Sequence, residues 1–535
     1  MNDAGRISNR RLPKGYADFP SLRQDGCVYV DKTDLMWHLV HDEKYAFLSR
    51  PRRFGKSLLV STIEAYFKGR RDLFEGLAVS KLEREWVARP VFRLDMSVGM
   101  GGIEDLKAWL AMQLRNWERQ YLPEGPQAND EALGARFAQV LRAARRFSGH
   151  RVVVLVDEYD APLQGSVLDP EAHEHVRSLY RSFFSVLKAE EANIRFVLLT
   201  GIAKFTQLSV FSVLNNLSNV SFLPRYASIC GITERELHDT FGPEIQALSQ
   251  ASQTDAAEMT ALLRERYDGY LFSEGTERLY NPFSVVSALA NQSLDTYWYS
   301  SGQSVMLSRM LGEVWHELPE LEGSRVDRNT LRTSDFSLEA PQVLLYQLGY
   351  LTIDRLDRSD DEYVLRFPNA EVRDALYKAI LPSVSSLSQM DASTESARFR
   401  RALSAAEPDP EAAMRVFSAV LAGMPFPTGP HADKRLERDA QLVLTLLAGS
   451  AGMQTTAERQ VLSGSIDVAI EGRGCVLVVE LKREKVGGLE AARDQLAERA
   501  YARAYAERGV PVFEVACMLT DNPRGVARWE IERVK

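Results

Sequence analysis

Residues 45–67, YAFLSRPRRFGKSLLVSTIEAYF, decide the fold of the N-terminal part of the chain. The apolar run at the start predicts a buried strand, and the loop after it opens into a helix. The loop contains Gly55, Lys56 and Ser57, which match the second half of the phosphate-binding pattern Gly-x-x-x-x-Gly-Lys-Ser/Thr. Arg50 stands where that pattern has its first glycine. The tripeptide alone is a weak signal, because a capped surface helix can carry the same letters.

The residue types of this loop suit a nucleotide. Gly55 lets backbone amides approach phosphate oxygens, and the start of the helix offers its positive end. The Lys56 ammonium can bridge the outer phosphates, and the Ser57 hydroxyl can ligate magnesium. The sequence therefore predicts ATP and Mg²⁺ (or Mn²⁺) as cofactors. The predicted nucleotide-binding residues of the loop are Arg53, Gly55, Lys56, Ser57 and Leu58.

Two further strands end in residues that fit the same chemistry. The stretch RVVVLVDEYDAPL (151–163) runs from apolar residues straight into Asp157 and Glu158. An acid at such a strand end can hold magnesium through its hydration shell, and the next carboxylate can deprotonate the attacking water. The stretch RFVLLTG ends in Thr200 and Gly201, where open α/β sheets bind ligands. Thr200 is predicted to sense the terminal phosphate; a simple turn residue is the alternative.

Several separate segments resemble one bacterial family. These are GYADFPSLRQDGCVYVDKT (15–33), RPRRFGKSLL, VVLVDEYDAPL, LLTGIAKFTQLSVFSVLNNL (198–217), and YDGYLF with YNPFS. In this order they look like the AAA-ATPase-like domain of a large family, over about residues 11–300. In that family an Arg-Pro-Arg-Arg lead-in is usual, so the resemblance makes Arg50 a variant of the loop. It also implies that Asp31 and Lys32 lie near the nucleotide, and that a nuclease-superfamily domain follows.

The chain divides into four predicted regions. Residues 1–225 alternate buried strands with amphipathic helices, which favours a P-loop NTPase-like α/β fold with a parallel sheet covered on both faces. Residues 226–330 carry helix-period apolar positions and predict a helical lid. Residues 331–425 suggest a winged-helix-like hairpin and connecting helices. The proline-rich stretch MPFPTGPH predicts a linker, after which residues 433–535 form an α/β domain.

The stretch GSIDVAIEGRGCVLVVELKREK (464–485) predicts a β-hairpin. With the turn centred at 472–473, Asp467 pairs across from Val478. Because side chains alternate along a strand, Asp467, Glu480 and Lys482 then share one face. A slip of a single residue would move Asp467 to the other face and dissolve the site.

This hairpin resembles the core of the PD-(D/E)XK nuclease superfamily. Two carboxylates can bind Mg²⁺ or Mn²⁺ and lower the pKa of an attacking water, while the lysine positions that water or stabilises the developing charge. The predicted catalytic residues here are Asp467, Glu480 and Lys482; Glu437, on the preceding helix, is a candidate extra metal ligand. Ala440 and Gln441 replace a Tyr-His pair common among relatives, which weakens the assignment of Glu437. The alternative is an exposed hairpin with a solvated Glu/Lys pair.

Composition limits the partners. With 65 basic and 73 acidic residues the chain carries a formal charge of −8, so a global electrostatic grip on nucleic acid is not expected. Local basic clusters, at 50–56 and 482–485, still allow nucleic acid as a partner. The apolar runs are too short to span a membrane, the N-terminus lacks a signal-peptide core, and scattered cysteines fit a reducing compartment. We therefore expect a cytoplasmic protein without membrane association.

Three functions fit these features. The first is a nuclease under ATP control. Its predicted catalytic residues are Glu158 for ATP turnover, and Asp467, Glu480 and Lys482 for cleavage of the nucleic acid. The second is a non-enzymatic ATP-dependent switch or scaffold that binds nucleic acid or protein. The third is a DNA-binding regulator acting through the winged-helix-like region. A homo-oligomer is also expected, because ATPases of the AAA type often need an arginine from a neighbouring subunit.

Overall fold

The computed structural model describes residues 10–98, 101–125, 132–203, 217–298, 321–333, 340–424, 436–461 and 464–534. The chain forms two compact units. The N-terminal unit comprises residues 1–297 and 324–369, and the C-terminal unit comprises residues 298–323 and 370–535. The sequence predicted four regions. In the structure, residues 226–297 of the predicted lid and the hairpin of residues 352–366 group with the N-terminal sheet, and residues 370–424 group with the C-terminal sheet. The proposed linker at 425–431 lies outside the described residues.

The strands of the N-terminal unit are β1 (Tyr45–Ser49), β2 (Val91–Asp95), β3 (Val152–Asp157), β4 (Ile194–Gly201), β5 (Ser218–Asn219), β6 (Arg325–Asp327), β7 (Thr352–Asp357) and β8 (Glu362–Arg366). Its helices are α1 (Phe19–Gln24), α2 (Thr33–Asp42), α3 (Lys56–Phe67), α4 (Val79–Leu82), α5 (Ile103–Tyr121), α6 (Leu133–Ser148), α7 (Ala161–Ser166), α8 (Pro170–Phe184), α9 (Val186–Ala189), α10 (Glu234–Ala251), α11 (Ala256–Tyr267), α12 (Pro282–Asn291), α13 (Arg328–Thr333) and α14 (Pro341–Leu348).

The main sheet of this unit is parallel and has the strand order β2-β3-β4-β1-β5. Every residue of β3 is buried, as are seven of the eight residues of β4. A strand that is covered on both faces has no polar side to show, which explains the continuous apolar runs in the sequence. The predicted α/β class with a parallel sheet is therefore correct for this unit. All carboxyl ends of these strands meet at one edge of the sheet.

The sequence YDGY at 267–270 joins the lid to the strand region that follows it. The Tyr270 hydroxyl donates to the carbonyl of Gly349 at 3.0 Å, and the Asn369 amide donates to the carbonyl of Asp268 at 2.9 Å. Gly269 has φ +114°, and a Cβ built there would stand 1.8 Å from the carbonyl oxygen of Pro368. This close approach leaves room for glycine alone.

A second, small sheet has the order β6-β8-β7, and α13 packs against β6 and β8. Helix α14 is mostly buried, and its sequence, PQVLLYQL, contains no charged residue. The arginines on this sheet pair with nearby acids; Arg325, for example, contacts Asp357, Asp360 and Glu362. The charges of this region therefore neutralise one another.

The C-terminal unit contains the helices α15 (Ala370–Ser385), α16 (Gln389–Ser404), α17 (Pro410–Ala422), α18 (Leu436–Ser450) and α19 (Gly488–Arg499), and the strands β9 (Gln454–Val461), β10 (Gly464–Glu471), β11 (Val476–Arg483), β12 (Val512–Asp521) and β13 (Arg524–Arg533). The strand order is β13-β12-β11-β10-β9. Strands β11 and β12 are parallel, and α19 forms the crossover between them. Helix α18, almost wholly buried, precedes the sheet in sequence and packs against it.

No helix in the described ranges combines the length and apolar character needed to cross a membrane. The four cysteines, Cys27, Cys230, Cys475 and Cys517, are buried free thiols.

Candidate functional site

The loop between β1 and α3 brings the predicted phosphate-binding residues together. Gly55 adopts a left-handed conformation (φ +92°) at the N-cap of α3, and no side chain caps this helix. Because the first amides of a helix have no intrahelical acceptor, the start of α3 presents N–H groups to a ligand. The Lys56 ammonium is buried and donates to the carbonyls of Arg50 (2.9 Å) and Pro51 (3.0 Å). Burial lowers the pKa of Lys56, although the charges of Glu158 and the neighbouring acids oppose this.

Arg50 has a structural role that the sequence did not reveal. Its side chain is 1% exposed and lies 4.0 Å over the ring of Phe272. Its guanidinium group donates to the backbone carbonyls of Ser49, Ser221, Tyr226 and Ala227 at 2.8–3.1 Å. Burial lowers the pKa of Arg50 to about 10. Arg50 thus anchors the start of the loop to residues 221–227, and it does not belong to an exposed basic cluster.

Arg53 connects the loop to the lid. Its guanidinium group donates to the carbonyl of Tyr297 and lies 4.2 Å over the ring of Phe283. Arg53 has φ +63°, a left-handed conformation that is uncommon for a residue with a side chain. The lid therefore contacts the loop through the residue that directly precedes Phe54 and Gly55.

Asp157 and Thr200 meet behind the loop. Asp157 is 1% exposed, Thr200 is 0% exposed, and the Thr200 hydroxyl donates to Asp157 Oδ1 at 2.5 Å. Asp157 ends β3, and Thr200 is the next-to-last residue of the adjacent strand β4. Because the two strands are parallel, both side chains lie at the same edge of the sheet. In this geometry Thr200 orients the carboxylate of Asp157. Its predicted role as a direct sensor of the terminal phosphate stays a prediction.

Glu158 and Asp160 occupy the turn after β3. Glu158 has φ +49°, and burial raises its pKa, while the positive charge of Lys56 opposes the shift. A raised pKa makes the carboxylate a better proton acceptor. Asp160, which the sequence reasoning missed, accepts from the amides of Ile202 (2.9 Å) and Ala203 (2.8 Å). Asp160 is the last residue of the sequence DEYD (157–160), and this further acid after the strand was the signal that could have predicted it.

A cavity of about 370 Å³ opens over the loop. Its polar wall contains all five predicted loop residues together with Glu158. Its remaining wall is largely apolar and comes from the segment before α1, from residues 28–32, and from lid residues such as Ile232, Phe241 and Phe283. A cavity of this size, with a few converging polar groups, is typical of a small-molecule site. Sequence reasoning found the polar wall and missed most of the apolar one.

Asp31 and Lys32 are adjacent in sequence, but their side chains make different contacts. Lys32 lines the cavity, and its ammonium pairs with Glu236 on the lid at 2.5 Å. The Asp31 carboxylate accepts from the amides of Thr33 (2.9 Å) and Ala78 (2.7 Å). Lys32 therefore belongs to the candidate site, whereas Asp31 fixes a neighbouring turn.

The predicted register of the C-terminal hairpin was wrong by two residues. Ala469, and not Asp467, pairs with Val478, and continuing the same ladder sets Asp467 opposite Glu480. The turn lies further along the chain, where the amide of Gly472 donates to the carbonyl of Cys475 at 2.9 Å. Because the shift is even, each side chain keeps its face, and Asp467 still lies beside Glu480.

The three predicted catalytic residues of the hairpin form one cluster. Glu480 is fully buried, and its Oε1 accepts from the Lys482 ammonium at 2.6 Å. Burial and the adjacent charge of Asp467 raise the pKa of Glu480 to about 7. Burial also raises the pKa of Asp467, whose carboxylate accepts from the amide of Leu481 at 2.8 Å. Burial alone would lower the pKa of Lys482, but the hydrogen bond that its ammonium donates to Glu480, together with the nearby carboxylate charges, raises it overall.

The third predicted metal ligand, Glu437, is held differently. Its Oε1 accepts from the amide of Arg483 at 3.0 Å. Within the described residues, no group of three or more acids, histidines or cysteines is arranged to hold a metal ion. The structure therefore brings together Asp467 and Glu480. The charge of Glu437 is near enough to raise the pKa of Asp467, but its carboxylate is engaged by the amide of Arg483. Gln441, one of the two residues that replace the Tyr-His pair of relatives, donates to the backbone carbonyl of Asp467 at 3.0 Å.

Geometry and comparison agree on the N-terminal unit. A parallel α/β sheet with a Gly-Lys-Ser loop at its carboxyl edge is consistent with a nucleotide-binding domain of the P-loop class. Residues 13–211 match the family described as Predicted AAA-ATPase. The chain is also 31% identical, over 546 residues that cover 98% of this chain and 99% of the other, to a protein of Azotobacter chroococcum mcd 1 described as "Uncharacterized protein in vnfD 5'region". The chain belongs to the same family as that protein, and its N-terminal domain is AAA-ATPase-like.

These matches support nucleotide binding in the N-terminal unit. They confirm the predicted resemblance for residues 13–211. The nuclease assignment of residues 433–535 is not tested by them and stays a prediction.

Proposed function

We propose that this protein binds ATP with Mg²⁺ in the N-terminal unit, hydrolyses it, and uses it to control a metal-dependent nuclease site in the C-terminal unit. The observation that carries the nucleotide part is the cavity over the loop, in which Lys56, Ser57 and Glu158 share one wall. The observation that carries the nuclease part is the pair of half-buried Asp467 and buried Glu480, with the Lys482 ammonium 2.6 Å from Glu480.

The N-terminal residues have distinct roles in this proposal. The helix start and Lys56 hold the phosphates, and Lys56 exchanges its two loop carbonyls for phosphate oxygens when ATP binds. Ser57 and Asp157 would hold Mg²⁺, which would neutralise charge on the phosphates. They fit the ion, because a hydroxyl and a carboxylate are oxygen ligands of the type magnesium prefers. Glu158, with its raised pKa, accepts a proton from the attacking water.

The C-terminal residues fit a divalent cation in part. Glu480 Oε2 is buried and has no hydrogen-bond partner among the described residues, which suits an oxygen that ligates a cation. Asp467 and Glu480 would hold the ion, and the ion would polarise the scissile phosphate. Lys482 stabilises negative charge that develops on the phosphate. Glu437 is the weakest candidate for a metal ligand, since its carboxylate already accepts a hydrogen bond from the backbone amide of Arg483.

One observation favours a second function, an ATP-dependent switch that binds without cleaving. The Lys482 ammonium forms an ion pair with Glu480, which occupies one oxygen that a metal ion would need. A cluster of three metal ligands is also absent from the described residues. In this case the C-terminal unit would recognise nucleic acid or protein and leave it intact. Regulation of DNA through the winged-helix-like region has less support, because α14 is buried and uncharged and the arginines nearby are paired with acids.

Cleavage of labelled single-stranded and duplex DNA and RNA, in Mn²⁺ with and without ATP, tests the proposal. We expect Lys482→Ala to lose cleavage and Lys485→Ala, which removes an exposed lysine three residues away, to retain it. ATP dependence that disappears in Lys56→Ala, but not in Lys68→Ala, would link the two sites. Cleavage equal in Lys482→Ala and the unchanged protein would refute the nuclease site. No cleavage with intact ATP binding would favour the switch.

A further inference from the structure

Three arginines lie together at the amino edge of the main sheet, opposite the nucleotide cavity. Arg89 directly precedes Pro90 and β2, Arg151 directly precedes β3, and Arg195 is the second residue of β4. Strands β2, β3 and β4 are neighbours in the sheet, and adjacent strands are about 4.8 Å apart. The ladder register pairs Val91 with Val153, which places Arg89 and Arg151 side by side.

The third arginine, Arg195, lies at an irregularity in the pairing of β3 with β4. Val152 pairs with Ile194, but Val153 pairs with Phe196, so Arg195 is an extra residue in β4. Such a bulge re-aims the side chain of the extra residue, and bulges are over-represented beside functional sites. They are rare in parallel pairs. Arg195 is half-buried, although it stands in a strand that is otherwise buried.

Among the residues that the structure describes, no acid pairs with these three groups. In the described part of the chain, no ion pair or side-chain hydrogen bond involves the guanidinium group of Arg89, Arg151 or Arg195. The nearby acid, Glu83, accepts instead from the hydroxyl of Tyr66 and from Trp37. After burial, mutual repulsion is the main cause that lowers the pKa values of Arg89 and Arg195.

The end of α3 offsets only part of this charge. The amide of Arg89 donates to the carbonyl of Phe67, the last residue of α3, at 2.7 Å. A helix carboxyl end carries about half a negative charge, which leaves more than two positive charges uncompensated. Half-buried arginines without a carboxylate partner are unusual, and the guanidinium fork matches the oxygens of a phosphate group.

We propose that Arg89, Arg151 and Arg195 bind a phosphate group at the amino edge of the sheet, as a second anion site separate from the nucleotide cavity. The group comes either from a free phosphate compound or from the backbone of a nucleic acid, and both present the same tetrahedral oxyanion. This site does not depend on the proposed nuclease or on ATP hydrolysis.

The test uses the full chain with Lys56→Ala, so that the loop contributes little to phosphate binding. Inorganic phosphate is titrated by calorimetry, and a fluorescein-labelled oligothymidylate is titrated by anisotropy. The variants are Arg195→Gln alone and Arg89→Gln with Arg151→Gln and Arg195→Gln. The matched control is Arg235→Gln, which removes a lid arginine whose side chain is 89% exposed.

We expect Arg195→Gln to weaken phosphate binding about tenfold and the triple variant to abolish it, with Arg235→Gln unchanged. If oligothymidylate binding falls in parallel, the backbone of nucleic acid is the source; if it does not, a free phosphate compound is. In chloride buffer without phosphate, the melting temperature of each arginine variant should equal or exceed that of the Lys56→Ala protein, because the repulsion among the three arginines is relieved. Phosphate binding that is absent from the Lys56→Ala protein, or unchanged in the triple variant, overturns the proposal. If the triple variant does not fold, Arg151→Gln, at an exposed position, is tested in its place, and unchanged phosphate binding in that variant overturns the proposal.

Discussion

Thr200 donates a hydrogen bond of 2.5 Å to Asp157, and both side chains are buried at the carboxyl edge of the main sheet. The bond crosses from β4 to the neighbouring strand β3. One oxygen of the carboxylate is thereby fixed, and the orientation of the other follows. The pair lies at the same edge of the sheet as the loop between β1 and α3, and replacing Thr200 should have separate, measurable effects on stability and on ATP hydrolysis.

Thr200→Val keeps the shape of the side chain and removes the hydroxyl. We expect the free energy of unfolding to fall by about 2 kcal/mol, because a buried carboxylate loses its hydrogen bond. ATP affinity should change little, while kcat for hydrolysis falls, since Asp157 is no longer oriented. Chemical denaturation and steady-state hydrolysis measure the two effects. Thr200→Ser is the control and should restore both; hydrolysis and stability unchanged in Thr200→Val would show that the bond has no role.

Arg50→Met tests the anchor at the start of the loop. The substitution deletes hydrogen bonds to four carbonyls, two of them in residues 226–227, and leaves those acceptors buried. We expect a loss of about 3 kcal/mol or more in the free energy of unfolding and weaker ATP binding. Arg52→Met is the matched control, because Arg52 makes a single long bond of 3.4 Å to Gln164. Equal stability of the two variants would contradict the anchoring role.

The sequence predicted the polar residues that line the cavity better than the residues that support them. Gly55 and Lys56 were predictable because their chemistry requires fixed residue types at fixed spacing. The role of Arg50 was not, because its four acceptors lie up to 177 positions away in the chain. Nothing local in the sequence records such contacts.

The C-terminal hairpin shows the same limit in another form. Alternation of side chains placed Asp467 and Glu480 on one face, and this holds for any even shift of register. The register itself depends on the turn, which sits further along the chain than predicted. The contact from Glu437 to the amide of Arg483 required the packing of α18, which the local sequence does not specify.

Manganese binding to the C-terminal unit tests the paired carboxylates. We expect Asp467→Asn and Glu480→Gln each to lower Mn²⁺ affinity by more than about tenfold, since even changes to groups that only orient metal ligands commonly cost 10–100-fold. Titration calorimetry of the full chain without nucleotide measures the affinities of these variants. Glu484→Gln, an exposed acid four residues from Glu480, is the control. Equal affinities in all three variants would rule out a metal site at this pair.

Gly269→Ala tests the close packing of the YDGY segment. A methyl group would stand 1.8 Å from the carbonyl oxygen of Pro368, and alanine would be strained at φ +114°. We expect a loss of about 3 kcal/mol or more, measured by denaturant unfolding. Gly275→Ala is the control: it shares a positive φ of +71° but has nothing within 4 Å of the added methyl. A loss no larger than that of Gly275→Ala would mean that the backbone relaxes at this point.

Asp268 should make stability depend on pH. Burial raises the pKa of this carboxyl to about 6 from its ordinary value of 3.8. Between these values the folded protein binds more protons than the unfolded chain, so the contribution of Asp268 is fully present below the lower value and is lost as the pH rises through about 6. Asp268→Asn removes this titration. Relative to the unchanged protein, the variant should gain on the order of 2 kcal/mol above pH 6, and this gain should shrink towards acid. Denaturant unfolding across that range measures the difference, with Asp239→Asn, an acid whose side chain is 70% exposed, as the control. A stability difference that does not vary with pH would show that Asp268 stays ionised in the folded protein.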